Sequence, residues 1–174
     1  MKKQSSLLLI LMLLLVLAGC GAKSAPAEPP ELTVTNAQGA SITAMGGSYD
    51  WDYEAGGGQR TGTIACGMHP LDETLRDSTP ALEMPIAVSA SFHYTVTLSF
   101  GDCAPDSVIL RCWNEQCWGD TQAKAEKLTV QRQDDGTYTV ELFPSVGIFE
   151  VDAKWDTEDY CGRAFYSFCT KAAE

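Results

Sequence analysis

The chain has 174 residues, with 12 lysines and arginines against 23 aspartates and glutamates, for a net charge of −11. Such a balance argues against nucleic acid as a partner, since no surplus of cationic side chains exists to neutralise phosphates, and against lying flat on an anionic bilayer. The charge confers solubility and by itself selects no partner.

Lys2 and Lys3 precede an unbroken apolar run from Leu7 to Ala18. That run is shorter than the ~18 residues a membrane span needs and fits the apolar region of a secretory signal. It ends in Leu17-Ala18-Gly19-Cys20, which resembles the lipobox of bacterial lipoproteins. The resemblance implies cleavage before Cys20 and acylation of its thiol with a diacylglyceryl group of palmitate type. Two acyl chains hold a protein stably on a membrane where one does not. Gly21 follows, so no acidic inner-membrane retention signal of the Gram-negative kind is present; the expected location is the outer face of a Gram-positive cell membrane, with an outer membrane as the alternative. The expected organisation is a signal peptide at 1–19, a lipidated cysteine and tether at 20–31, and one domain at 32–174. Pro26, Pro29 and Pro30 predict a solvated spacer with a reach of about 35 Å. Loss of the two leader lysines takes the net charge from −11 to −13.

Beyond the tether the dominant signal is alternation of apolar with polar residues, the mark of half-buried strands. Leu32–Thr35 and Ser41–Met45 are short candidates, followed by a break at Gly46-Gly47. In 48–53, Tyr49, Trp51 and Tyr53 share a face; Gly56–Gly58 predicts a turn and 60–66 the returning partner. Residues 68–83 read as irregular, with one helical turn at 71–76. Strands resume at 86–89 and 92–100, where Phe92, Tyr94, Val96, Leu98 and Phe100 share a face, then at 108–113. A loop at 114–122 leads to 127–133, and the Asp135-Gly136 turn predicts a hairpin with 137–143. Strands at 147–155 and 163–170 close the chain.

This pattern predicts an all-β fold, an antiparallel β-sandwich. Residues 147–155 resemble the penultimate strand of immunoglobulin-like domains, with Phe149 where the corner tyrosine would stand. The resemblance implies strands B, C, F and G at 92–100, 108–113, 147–155 and 163–170, with 32–66 as an N-terminal hairpin extension. Gly-Ser-Tyr-Asp-Trp (47–51), His-Pro-Leu-Asp (69–72), Cys-Trp-Gly-Asp (117–120) and Arg-Ala-Phe-Tyr-Ser-Phe (163–168) are similar to segments of uncharacterised extracytoplasmic proteins of Gram-positive gut bacteria. Some of those are lipoproteins and some are attached to membrane sensors of the BlaR type. No activity comes with that likeness.

Besides Cys20, six cysteines remain, an even number that suggests disulfides in an exported chain. The immunoglobulin-like mapping favours Cys103 with Cys161, because the B–C and F–G loops share an end. Cys112 with Cys117 would close a short loop, leaving Cys66 with Cys169. The alternative for Cys112 is a buried apolar thiol on the Val108–Leu110 face.

Catalytic chemistry finds little support. Cys66-x-x-His69 has metal-ligand spacing but no second pair, so no metal or other cofactor is expected. No nucleophile elbow, zinc-protease motif or phosphate loop occurs, which points away from an enzyme. The acidic loop at Asp156, Glu158 and Asp159 lacks the spacing of a calcium loop. Trp51 and Trp155 are expected to fill the core. Trp118, with Asn114, Glu115 and Asp120 in its loop, is the candidate binding surface for a protein or glycan of the cell envelope. The expected function is a membrane-anchored, non-catalytic binding module, with an accessory sensing domain as the alternative.

Overall fold

Alternating burial along each strand sorts the chain into two faces. The computed structural model describes residues 25–85, 93–143 and 146–173; Cys20 with its lipobox, the expected strand at 86–89 and Phe92 lie outside them. Among the described residues there are twelve strands: β1 (Thr33–Asn36), β2 (Ser41–Thr43), β3 (Met45–Glu54), β4 (Arg60–Ala65), β5 (Ala81–Met84), β6 (Tyr94–Ser99), β7 (Ser107–Asn114), β8 (Glu126–Leu128), β9 (Val130–Arg132), β10 (Tyr138–Leu142), β11 (Gly147–Asp156) and β12 (Tyr160–Ala172). They build an all-β sandwich. One sheet has the order β2-β1-β6-β10-β9, the other β4-β3-β12-β11-β7-β8, with β5 running parallel to the end of β12.

The immunoglobulin-like order is plain in these neighbours. Strands β1, β6, β10 and β9 take the places of A, B, E and D, while β12, β11, β7 and β8 take G, F, C and C′. The extension expected over 32–66 is shorter: β1 and β2 belong to the smaller sheet, and only the β3–β4 hairpin is added beyond the sandwich. It pairs Tyr49, Trp51 and Tyr53 with Ala65, Thr63 and Thr61 and lengthens the second sheet beyond β12.

Three local expectations differ. The run 127–133 is two strands, because the chain crosses between sheets at Thr129: Leu128 pairs with Leu110 in one and Val130 with Val140 in the other. Gly46-Gly47 does not break the chain. Strand β3 runs through both, opposite a bulge in β12 between Ala164 and Tyr166, and a Cβ on residue 47 would stand only 3.1 Å from the Phe165 carbonyl oxygen. Within 68–83 the helical turn is a 3-10 turn at Glu73–Leu75, capped by Asp72, whose carboxylate accepts from the Thr74 N–H at 2.9 Å. Strand β5 follows it unannounced.

Between the sheets, Val34, Val96, Leu98 and Val140 meet Leu110, Val151, Tyr166 and Phe168, all buried. Phe149, in place of a corner tyrosine, stacks on Phe168 at 4.9 Å. Corner-like hydrogen bonds come from elsewhere: the Tyr138 hydroxyl donates to the Pro105 carbonyl at 2.7 Å. Trp51 and Trp155 fill the core as expected, their rings edge to face at 5.2 Å.

The second half of the expected spacer is not free in solvent. The Trp51 indole N–H donates to the Pro26 carbonyl at 2.8 Å, and the Tyr166 hydroxyl to the Pro30 carbonyl at 2.7 Å. Both donors sit on buried side chains that need acceptors, and the proline-containing segment supplies them. Leu32, fully buried, completes its entry into the core.

Replacing Trp155 by alanine should lower the unfolding free energy by about 3–5 kcal/mol. Urea denaturation followed by circular dichroism measures this; a loss under about 1 kcal/mol would contradict its central place.

Candidate functional site

A cleft of about 390 Å³ opens at one end of the sandwich, where the sheets part between β7–β8 and the facing ends of β10 and β11. Its floor is apolar, built from Cys112, Leu128 and Phe149 on the inward faces of β7, β8 and β11. Phe143 and Val146 stand at the mouth, 55% and 42% exposed, and the His93 ring lies 4.1 Å from Phe143. Asn114, Lys124, Glu126 and Glu141 add a rim of both charges. Apolar lining with a few polar groups at the margin suits a small amphipathic ligand. Burial, followed by the charge of Glu126, raises the Cys112 thiol above its ordinary value, so it is a protonated lining group and not a ready nucleophile.

The loop expected to bind forms a wall of this cleft through only one of its four expected residues, Asn114. Asn114 and Cys117 line it. The Asn114 side-chain oxygen accepts from the Gln116 N–H at 2.9 Å, capping a 3-10 turn at Glu115–Cys117, and Asp120 accepts from the Gln122 N–H at 3.1 Å. Trp118 is half-buried against a small outer cluster of Leu71, Trp113 and Ile148, and the Gly119 N–H donates to the Leu71 carbonyl at 2.8 Å. Trp118 thus fastens its loop to the 68–79 segment, while Glu115 is exposed. Phe143, Glu126 and Lys124 were not legible as a site in sequence. Phe143 breaks the alternation after Leu142, and that was the one available signal.

The outer face of the larger sheet carries a fixed ionic ladder. Cross-strand register sets Arg111, Glu150 and Ser167 in one row and Ile109, Asp152 and Phe165 in the next. Arg111 donates to Glu150 at 2.7 Å and to Asp152 at 2.8 Å; Arg163 clasps both Asp152 oxygens at 2.6 Å. Asp152 is only 4% exposed. Burial by itself would raise its carboxyl, but hydrogen bonds from Arg163 and then Arg111 outweigh it and hold the group below the ordinary 3.8.

No disulfide is formed among the described cysteines, which departs from all three expected pairings. Strand alternation explains the first. Tyr160 faces inward beside Cys103, while Cys161 lies on the opposite face of β12 and accepts from Arg60 at 3.3 Å. Burial and Cys103 together push the Tyr160 phenol up to about 12. Cys112 continues the Leu110 face, whereas Cys117 packs on the outer cluster. Cys66 is exposed just after β4, and Cys169 packs on that same outer cluster, where burial pushes its thiol up to about 11. The His69 Nδ1 accepts from the Leu71 N–H at 3.1 Å and its ring sits edge-on to Trp113; no group of three or more His, Cys, Asp or Glu among the described residues is placed to hold a metal ion.

Asp152, with its folded value depressed, contributes stability that is complete above about pH 4 and is lost as pH falls through the folded value. Asp152→Asn should therefore cost about 2–3 kcal/mol at pH 7, discounted for the half-exposed Arg163, and flatten the fall in stability between pH 4 and 2. Parallel acid-unfolding curves for the two proteins would refute this. Comparison with protein-family models, with curated proteins and with solved structures found no match.

Proposed function

We propose that the chain is an exported lipoprotein, anchored through acylated Cys20 to the outer face of a Gram-positive cell membrane, whose β-sandwich is a non-catalytic binding module. The end cleft carries this reading. At about 390 Å³ it falls within the ~300–1,000 Å³ typical of ligand sites, and its apolar floor with a charged rim suits a glycan or peptide fragment of the cell envelope. Its thiol is kept protonated by burial, and its rim carboxylates belong to surface strands.

The clamp at Pro26 modifies the expected spacer. Only five residues lie between Cys20 and Pro26, a span of at most about 20 Å when extended. An anchored domain then rides close to the bilayer, within reach of a membrane partner. That proximity favours an accessory sensing domain as the second reading.

Two measurements test the proposal. Cys20→Ser should abolish labelling by a palmitate analogue and release the chain from the membrane fraction; unchanged labelling would overturn the anchor. Soluble peptidoglycan fragments and oligosaccharides should include a ligand that raises the melting temperature and returns chemically intact. Phe143→Ala should weaken that ligand about tenfold, at the scale of one lost aromatic contact. A ligand indifferent to Phe143, or one converted to product, would sink the cleft or its non-catalytic role respectively.

A further inference from the structure

Strand β4 is an open edge. Among the described residues it pairs with β3 alone, in continuous register from Tyr49↔Ala65 to Glu54↔Arg60. Sheet edges are ordinarily guarded by proline, charged side chains or a bulge. The sequence Arg-Thr-Gly-Thr-Ile-Ala has one such guard, Arg60 at its first position, and its guanidinium turns back over the sheet to the Glu158 carbonyl and Cys161 Sγ, leaving Gly62 to Ala65 unguarded.

Hydrogen-bond parity fixes which groups face outward. The Ala55 N–H donates to Gln59 at 2.8 Å on the β4 side, and the Glu54 N–H to Asp159 at 2.9 Å on the β12 side. Direction alternates residue by residue, so Tyr49, Trp51 and Tyr53 bond toward β4 through Ala65, Thr63 and Thr61. Gly62 and Ile64 therefore turn their N–H and C=O groups away from the sheet, ready for another strand.

The side chains on that edge give it a preference. Ile64 is 80% exposed, opposite Asp50. Its neighbour on the same face, Gly62, stands opposite Asp52 and has no side chain. The Asp52 carboxylate fills that gap: its Oδ1 lies 2.6 Å from where a Cβ on residue 62 would be. A strand laid along β4 meets an isoleucine at one position and, two residues away, a carboxylate reaching across a glycine.

We propose that β4 is a docking edge for an extended segment of a partner protein, added as an antiparallel strand with an apolar residue opposite Ile64 and a lysine or arginine opposite Gly62. The cation crosses the bare backbone of Gly62 to pair with Asp52, and main-chain hydrogen bonds supply the common affinity.

A second copy of the chain fits this edge poorly. Pairing Gly62 with Gly62 brings two Asp52 carboxylates together. Setting Ile64 opposite Gly62 covers Asp52 with hydrocarbon. The register that offers Arg60 to Asp52 runs Ile64 against Gly58, which belongs to a turn whose three glycines all have positive φ and cannot continue the ladder. The net charge of −11 on each copy opposes all three.

The test uses the full ¹⁵N-labelled chain in detergent micelles and a short blocked peptide of threonines carrying one valine and, two positions on, one lysine. Added peptide should shift the Gly62 and Ile64 amides. The same peptide with glutamate for lysine should bind more weakly. Asp52→Asn, an exposed change, should reduce the lysine peptide's affinity up to about fivefold, the upper range of a cross-strand charge pair, and remove the preference between the two peptides. Methylating the valine and lysine amide nitrogens should abolish binding. Equal binding of lysine and glutamate peptides, undiminished binding of the methylated peptide, or shifts confined to other strands would overturn the proposal. Sedimentation of the peptide-free chain as a dimer that Ile64→Lys dissociates would overturn it in favour of a second copy.

Discussion

Trp155 stands where both sheets, the β3–β4 hairpin and the β6–β7 loop meet. Its ring is fully buried, edge-on to Trp51 at 5.2 Å and to Phe100 at 5.6 Å, and its indole N–H donates to the Cys103 carbonyl at 2.8 Å. Trp51 in turn lies flat on Tyr160 at 5.3 Å. Aromatic pairs in these geometries add to the burial of their large surfaces. The Trp155 contacts also join elements that share no strand pairing with β11. Phe100 directly follows β6 of the smaller sheet, Trp51 belongs to the hairpin that lengthens the larger one, and Cys103 lies in the loop crossing from one to the other.

The same strand, β11, serves two surfaces at once. Phe149, Val151, Ala153 and Trp155 face the smaller sheet, while Glu150, Asp152 and Lys154 face outward. Asp152 is nevertheless buried, because the guanidinium groups of Arg111 and Arg163 close over it from β7 and β12. The outer face is thus rigid where its ladder runs and bare at the β4 margin. The end cleft lies farther along β7 and β11, beyond the ladder. Each surface has a separate physical character: ionic and locked, open-edged, or concave and apolar.

Much of the architecture was legible because alternation is a local signal. Tyr49-x-Trp51-x-Tyr53 and Tyr94-x-Val96-x-Leu98 declare a buried face from neighbouring residues alone, and the glycine and Asp-Gly turns declare where strands reverse. What failed needed partners distant in sequence. The passage of Gly47 through β3 depends on the Phe165 backbone, and β5 exists because the end of β12 offers it a parallel edge. The division at Thr129 follows from the crossing between sheets. Cys103 and Cys161 fall at one end of the sandwich as reasoned, yet on opposite sides of β12, a difference of one residue that loop mapping does not resolve. The cleft was half legible: its wall at Asn114 was in view, while Leu128, Phe143 and Phe149 converge only through the fold.

The hydrogen bonds to Pro26 and Pro30 also decide where force enters the domain. A pull on the chain ahead of residue 25 does not first peel β1 from its sheet. It is met by Trp51 on β3 and Tyr166 on β12, adjacent interior strands of the larger sheet that are paired to each other and flanked on both sides. Tension is therefore shared with the best-paired part of the molecule before it reaches Leu32. The segment from residue 25 is tied around a beam of the structure, so a pull on it is borne by interior strands paired on both sides.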